Sequence, residues 1–267
     1  MLSVEPMKLF GHDIAIEFLG TGTSTGVPQI GCNCRVCRSR DEHDKRFRAS
    51  AIVRTCGKSI LIDCGPDFRS QMLNASDCHL DALIITHTHY DHVGGVDDLR
   101  PYCYAFGDLD IYANARTVKN VRHNFPYCFA ENPYPGVPSF NLKAVEKHKE
   151  FHIGDIPVVP IEVMHDKMPI FGYRFGSMAY ITDMKTMADE ELPYLDGVET
   201  LVVNALRWEK EHHSHMLVRD AVAFSKRVGA KKTYLIHVTH QIGLYEEANK
   251  RLPQGFQIPY DGMEITV

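Results

Sequence analysis

The stretch Thr86-His87-Thr88-His89-Tyr90-Asp91-His92 packs three imidazoles and a carboxylate into six positions of a 267-residue chain. Buried without a cation, four such groups would repel one another or stay unsatisfied. The run before it, Asp81-Ala82-Leu83-Ile84-Ile85-Thr86, is short, apolar and partly β-branched, which is the character of a buried strand. His87 and His89 follow at i and i+2, so in extended backbone both rings project the same way and can share one ion. Asp91 and His92 come just before Val93-Gly94-Gly95 and a helix-like stretch from Asp97 to Phe106, where a turn can aim a second pair of ligands at a neighbouring ion.

Working outward, three more ligand types close apolar runs. His165 follows Val158–Met164, Asp183 follows Met178–Thr182, and His237 follows Thr233–Ile236. Each stands at the C-terminal end of a strand-like segment, which predicts one shared rim. Nitrogen and oxygen ligands of this kind accept two divalent ions, zinc or manganese first among them, and the sequence does not choose. His12, His43, His79, His123, His148 and His152 lack such a setting and read as surface or satisfied core residues.

A second cluster lies upstream. Gly31-Cys32-Asn33-Cys34-Arg35-Val36-Cys37 offers three thiols in a loop at about residues 31–38, and His240 stands three residues beyond His237. Three Cys and one His suit a closed, tetrahedral structural zinc. Cys56, Cys64, Cys78, Cys103 and Cys128 have no framework spacing and read as reduced thiols, Cys64 packing in the core, with no structural disulfide expected. Gly20, Gly22 and Gly26 do not make a dinucleotide fingerprint: the spacing is wrong, and Pro28 and the cysteines come where a helix should open. No nucleotide cofactor is expected there; the glycines suit a backbone passing close to the metal edge or substrate.

The order Asp63 in Leu61-Ile62-Asp63-Cys64-Gly65, then HxHxDH, then His165, Asp183 and His237 resembles the metallo-β-lactamase superfamily over nearly the whole chain. With Gly20–Pro28 and the Cys32, Cys34, Cys37 and His240 set, it is similar to the PhnP branch, the phosphoribosyl cyclic phosphate phosphodiesterases. That resemblance implies an α/β fold, the αββα four-layer sandwich of two mixed β-sheets with metals on one edge. It implies His87, His89 and His165 on a first ion, Asp91, His92 and His237 on a second, Asp183 bridging them, and Asp63 orienting the loop from behind. It also implies that the zinc staples the N-terminal loop to the loop after the last ligand strand, and that His215 is a general acid.

The activity so implied is hydrolysis of a small sugar or nucleotide phosphate ester, cyclic or linear, by a hydroxide shared between two ions. An imidazole suits the proton donor because its pKa lies near neutral pH. Asp166, beside His165, is the group expected to assist or orient it, and Arg207 is a candidate phosphate contact. His212 and His213 read as a solvated turn, their roles open. Two alternatives share the ligands: an RNA-processing endonuclease of the tRNase Z kind, against which no long basic Gly/Pro-rich arm is present, and a non-catalytic zinc-stapled scaffold, against which every ligand position is filled. A β-lactamase or thioester hydrolase fits less well, because such enzymes commonly lack an acid at the Asp91 position and do not typically carry the zinc staple.

Composition agrees. With 44% hydrophobic residues and no Ser/Gly/Pro linker between motifs, one domain spanning 1–267 is expected. A formal charge of -5 offers no basic surface for long duplex nucleic acid. The opening Met1–Lys8 has no apolar leader core and no run is long enough to span a bilayer, so a cytoplasmic enzyme is expected. By analogy it is a homodimer. Further strands are expected at Ile14–Leu19, Ser50–Arg54 and Ser59–Ile62, and helices at Asp67–Leu73, Ala115–Phe125, His215–Val228 and Leu244–Arg251. Tyr127–Pro138 reads as an aromatic loop over the site, with Tyr127, Phe129 and Tyr134 as substrate walls.

Overall fold

Alternation in the strands dictates the layering. In Lys58–Ile62, Ile60 and Ile62 face one side and Leu61 the other; in Met178–Ile181, Met178 and Tyr180 face one side and Ala179 and Ile181 the other. A strand apolar on both faces must be covered on both. The computed structural model, which describes residues 13–267, resolves that demand with two stacked sheets and helices outside each. The reading of His12 and of the opening Met1–Lys8 lies outside the described residues.

The first sheet uses β1 (Ala15–Gly20), β2 (Ser50–Thr55), β3 (Lys58–Ile62), β4 (Ala82–Ile84), β5 (Leu109–Ala113), β6 (Phe140–Ala144) and, from the far end of the chain, β14 (Glu264–Thr266). Its order is β14-β1-β2-β3-β4-β5-β6, antiparallel from β14 to β3 and parallel from β3 to β6. The second sheet holds β7 (Phe151–Ile153), β8 (Ile156–His165), β9 (Met168–Phe175), β10 (Met178–Ile181), β11 (Thr200–Asn204), β12 (Lys232–Ile236) and β13 (Phe256–Gln257). It repeats the plan, antiparallel from β7 to β10 and parallel from β10 to β13. Both sheets are therefore mixed, as expected.

Between them lies one apolar layer, in which Ile16, Phe18, Val53, Ile60, Ile62 and Ile84 meet Val158, Tyr173, Phe175, Tyr180, Val202 and Ile236. Outside the first sheet, Leu61, Leu83 and Ile111 pack against Phe68 and Met72 of α1 (Phe68–Asn74) and Val121 of the helix Ala115–Asn124. Outside the second, Ala179, Leu201 and Leu235 pack against Ala221 and Phe224 of the helix Val218–Val228. Burying a side chain of this size stabilises by about 1.5–3 kcal/mol, so these layers hold the strand ends fixed. In chain order the other helices are α2 (Tyr90–Val93), α3 (Arg100–Phe106) and α4 (Ala115–Asn124), then α5 (Val218–Val228) and α6 (Tyr245–Arg251). The stretch from Asp97 to Phe106 is one 3-10 turn, Val96–Leu99, running into α3. No helix among the described residues is long and apolar enough to cross a membrane.

Candidate active site

Strand ends deliver the ligands. β4 leads to His87 and β8 ends on His165, while Asp183 and His237 lie just beyond β10 and β12; Asp63 directly follows β3. Asp63, Asp183 and His237 have φ of 60°, 56° and 56°, and Asp166, in the tight β8–β9 turn, has 53°. Left-handed backbone at a non-glycine residue costs roughly 1–3 kcal/mol and persists only where its surroundings impose it. Here it recurs on one rim. After His89 the chain makes the single turn α2, which presents Asp91 and His92 inward.

The ligand atoms converge. His87, His89 and His165 each place one ligand atom within 4.8 Å of the others, as do Asp91, His92 and His237, and likewise His87, His92 and Asp183. His87 Nε2 and His89 Nδ1 are 3.1 Å apart, His92 Nε2 is 3.2 Å from Asp91 Oδ2 and 3.3 Å from Asp183 Oδ2, and His237 Nε2 is 3.1 Å from Asp183 Oδ1. A tetrahedral ion with bonds of about 2.0–2.1 Å separates its ligand atoms by about 3.3 Å. Asp183 thus contacts His92 and His237 of one set, and it also groups within 4.8 Å with His87 and with His165 of the other, so it stands between the two. His92 Nε2 is buried without a hydrogen-bond partner, a cost that a cation would remove.

The rings are held from behind. His92 Nδ1 donates to Asp63 Oδ2 at 2.7 Å, and Asp63 also accepts from Thr86 N at 2.8 Å and Thr86 Oγ1 at 2.8 Å. With its hydrogen spent on Asp63, Thr86 Oγ1 can accept from His87 Nδ1 at 3.0 Å. His165 Nδ1 donates to the Ser214 carbonyl at 3.0 Å. Each contact turns the far nitrogen, with its lone pair, toward the cluster.

Electrostatics match. Burial, then the neighbouring His92, pushes His87 well below the usual imidazole range, so it is a neutral donor; burial and His165 lower His89. Burial would lower His92 too, but Asp91, Asp63 and Asp183 overcome it and push it well up. Burial would raise Asp183, yet His237 and His92 hold it well below the carboxylate range.

His215, just before α5, reaches into the same edge, its Nε2 2.8 Å from Asp183 Oδ1. Burial pulls its imidazole down to about 4, against the raising effect of Asp183. A cavity of about 590 Å³ opens above, walled by Ser24, His89, Arg116, Asp166, Lys167 and His213 among others. Asp166 lines it but makes no hydrogen bond to His215 among the described residues. Arg207 does not: its guanidinium binds the Lys210 carbonyl and Gln241 Oε1, bracing a loop. Nor do the aromatic candidates. Tyr127 is spent on Asp97 at 2.8 Å, Phe129 packs beneath Arg122 and beside Phe140, and Tyr134 is exposed to solvent. His212 is no plain solvated turn, since its Nδ1 lies 3.1 Å from His215 Nδ1.

Arg116, Lys167 and Ser24 escaped the sequence reading. Only Ser24 carried a signal, its place in Gly20–Gly26. There the close approach is to neighbouring backbone rather than to the metal edge or a substrate: a Cβ on Gly20 would collide with the Arg48 carbonyl.

The second cluster forms as well. Cys32, Cys34 and Cys37 Sγ lie 3.3, 3.2 and 3.5 Å from His240 Nδ1. The Cys37 amide donates to Cys34 Sγ, which with His240 and the other thiols brings Cys34 down to about 6 against burial. Burial instead pushes Cys37 up to about 11 despite the Gln29 amide. All eight cysteines are free thiols, and Cys64 is fully buried. His43 packs at a tilt against Tyr260 and His148 pairs with Glu191; like His79, His123 and His152 they enter none of these ligand groups.

The beta-lactamase superfamily domain profile matches residues 58–238. An octanoyltransferase of Porphyromonas gingivalis is 45% identical over 250 residues, covering 93% of this chain and 51% of that protein. The chain spans about half the length of that relative. The crystal structure of a diphosphatase from the PhnP family is 37% identical, with a TM-score of 0.88 over 96% of this chain and 97% of that one. Human tRNase Z, short form, shares the fold at 17% identity and a TM-score of 0.72, over 94% of this chain and 98% of its own.

Proposed function

The chain belongs to the beta-lactamase superfamily and, within it, to the PhnP family, and on that premise we propose that it is a metal-dependent phosphodiesterase acting on a small sugar or nucleotide phosphate ester, cyclic or linear. The observation that carries the reading is Asp183, which lies 3.3 Å from His92 Nε2 and 3.1 Å from His237 Nε2 of one ligand set and groups within 4.8 Å with His87 and with His165 of the other. His87, His89 and His165 would hold one divalent ion and Asp91, His92 and His237 the other, with Asp183 between. When bound there, such a pair supplies a water acidified toward neutral pH and positive charge for a phosphoryl oxygen.

The chain's own residues do the rest. Arg116 and Lys167 on the cavity wall attract and orient an anionic ester. His215 Nε2, against Asp183, is the donor placed to give a hydrogen to the departing oxygen. At about 590 Å³ the cavity suits a small molecule. Cys32, Cys34, Cys37 and His240 would hold a structural zinc that ties the Cys loop to the turn after β12.

The tRNase Z reading shares the fold, but among the described residues the cavity wall carries only Arg116 and Lys167 as permanent cations, too few to hold a folded RNA. Acyl transfer is the name of a relative about twice as long, and among the described residues Met168 is the one apolar wall of this cavity, which is poor lining for an acyl chain. Metal analysis combined with turnover of bis(p-nitrophenyl) phosphate tests the proposal. Hydrolysis that scales with bound metal is expected. Full metal occupancy with no hydrolysis under any divalent ion would favour a scaffold instead.

A further inference from the structure

After β10 the chain leaves its sheet. The ladder to β11 runs from Met178 beside Thr200 to Ile181 beside Val203 and stops there, while β11 continues to Asn204, which pairs with Ile236 of β12. Two residues after Ile181 comes Asp183, with φ of 56°. By Lys185 the chain is anchored again, on β8, where its N–H donates to the Met164 carbonyl at 2.8 Å. The stretch in between carries the carboxylate that stands between the two ligand sets, and it lies outside any strand.

Its backbone finds a partner in a side chain. Met184, next to Asp183, is buried; its N–H donates to Asn204 Oδ1 at 2.7 Å and its carbonyl accepts from Asn204 Nδ2 at 3.0 Å. One fully buried carboxamide thus stands where a neighbouring strand would. The two bonds run in opposite directions, so the amide fits only one way round: flipped, it would set donor against donor and acceptor against acceptor. The Met184 carbonyl has a second donor, Met216 N at 3.1 Å, but its N–H has Asn204 alone among the described residues. A buried N–H without an acceptor is costly, and left-handed backbone at a residue other than glycine persists only where its surroundings impose it. Without the carboxamide the turn would relax to satisfy Met184, and Asp183 would turn with it. The residues after Asn204 tie the same rim together: Ala205 N–H donates to the carbonyl of Ile236, just before His237, and Leu206 N–H to that of Met216, just after His215, both at 2.9 Å.

We propose that Asn204 is a positioning residue: by clasping both backbone groups of Met184 it holds the left-handed turn that aims Asp183 between the two ligand sets. Asn204 enters none of the ligand groups itself. What Asp183 is aimed for rests on the two-ion phosphate-ester reading; the clasp does not.

Titrating metal-stripped protein with Co2+ tests the role, because the two clusters report separately. The cysteine cluster is read from its sulfur-to-cobalt band in the near ultraviolet, and the rim, which has no sulfur ligand, from visible absorption beyond what that band accounts for. Asn204→Leu keeps the bulk and makes neither bond. It is expected to lower rim affinity for cobalt about 10- to 100-fold, the range for removing a group that orients a ligand, with the sulfur band unchanged. Val203→Ala, one residue earlier and equally buried, removes packing but neither bond, and should leave rim affinity at the wild-type value even where it lowers the melting temperature as much. Asn204→Asp, whose carboxyl still accepts from Met184 N–H, should recover part of the loss. Unchanged rim affinity in Asn204→Leu, or an equal loss in Val203→Ala, would overturn the proposal. Hydrogen exchange in the wild type needs no variant: the Met184 amide should exchange as slowly as those of β11, and exchange at the rate of an exposed loop would overturn the proposal as well. Were wild type to bind cobalt at the rim and Asn204→Leu to lose it while no ester was cleaved, the clasp would stand and the phosphate-ester reading would fall.

Discussion

At the rim of the two sheets the rings of His87, His92 and His165 are each gripped from behind, by Thr86, Asp63 and the Ser214 carbonyl. In the cysteine loop the four ligand atoms hang on turns between β1 and β2 and after β12, with half-buried side chains and two N–H to sulfur contacts. Packing explains the contrast. The rim is assembled by strands that three apolar layers drive together, so its ligands converge whether or not an ion is present. The loop is held by lighter contacts, an exposed Arg35–Glu247 pair and backbone turns, to which a bound ion would add. On the proposed reading the first cluster is preorganised for chemistry and the second is a clip that a zinc ion would close.

The sharpest way to break that contrast is Asp183→Ala. If the rim is built by packing and Asp183 serves both ligand sets, the variant should fold with an unchanged melting temperature to within a few degrees. It should nevertheless lose at least about 10³-fold in turnover, the scale of removing a preorganised electrostatic group. Differential scanning calorimetry alongside kinetics checks both halves. A protein that unfolds would mean that the rim, like the loop, depends on its ligands for shape. Asp63→Asn probes one layer back. It keeps the size but weakens the grip on His92 and Thr86, and a loss of about 10- to 100-fold in metal affinity or activity is expected. An effect confined to stability would show that Asp63 serves the core alone.

The same contrast governs how much was legible in the sequence. HxHxDH announced itself because the strand Ala82–Ile84 and the turn α2 are local, and four ligating groups in six residues have no bland explanation. His165, Asp183 and His237 were readable because each closes an apolar run whose burial fixes its end. Arg116 was not: it sits in the first turn of α4, and nothing within α4 tells that the β8–β9 turn bearing Lys167 comes to the opposite side of one cavity. The aromatic candidates misled for the converse reason. Composition marks Tyr127 and Phe129 as sticky, but Asp97, thirty residues away in the chain, claims the first, and Arg122 and Phe140 claim the second. Strand β6 is hard to read because it is largely exposed and lacks clean alternation, whereas β5, β9 and β11 are buried runs that the sequence reading does not single out.

Arg116 gives a smaller effect that separates wall from rim. It lies in the cavity wall but in none of the ligand groups. Arg116→Ala should therefore raise KM for an anionic ester about tenfold, the worth of one charge-assisted contact, and leave metal content and melting temperature unchanged. A fall in kcat at constant KM would instead place the guanidinium at the reacting phosphorus.

The mildest test reads the loop cluster directly. In protein stripped of metal by a chelator, the thiolate is the species that alkylates. Cys34, held down to about 6 by the Cys37 amide and His240, should react with iodoacetamide in a profile rising through pH 6, while Cys37, pushed up to about 11 by burial, should stay inert through neutral pH. The sign follows from the shifts: a depressed thiol is ionised above its midpoint, a raised one remains protonated below it. Peptide mapping by mass spectrometry distinguishes the two. Restoring zinc should protect both, with turnover at 25 °C changing by no more than about threefold, since a clip only steadies the rim. If instead the two thiols alkylate together near pH 9, the stripped loop has lost the geometry that sets them apart. That outcome would sharpen the contrast with the rim, because the loop's shape would then come entirely from its ion.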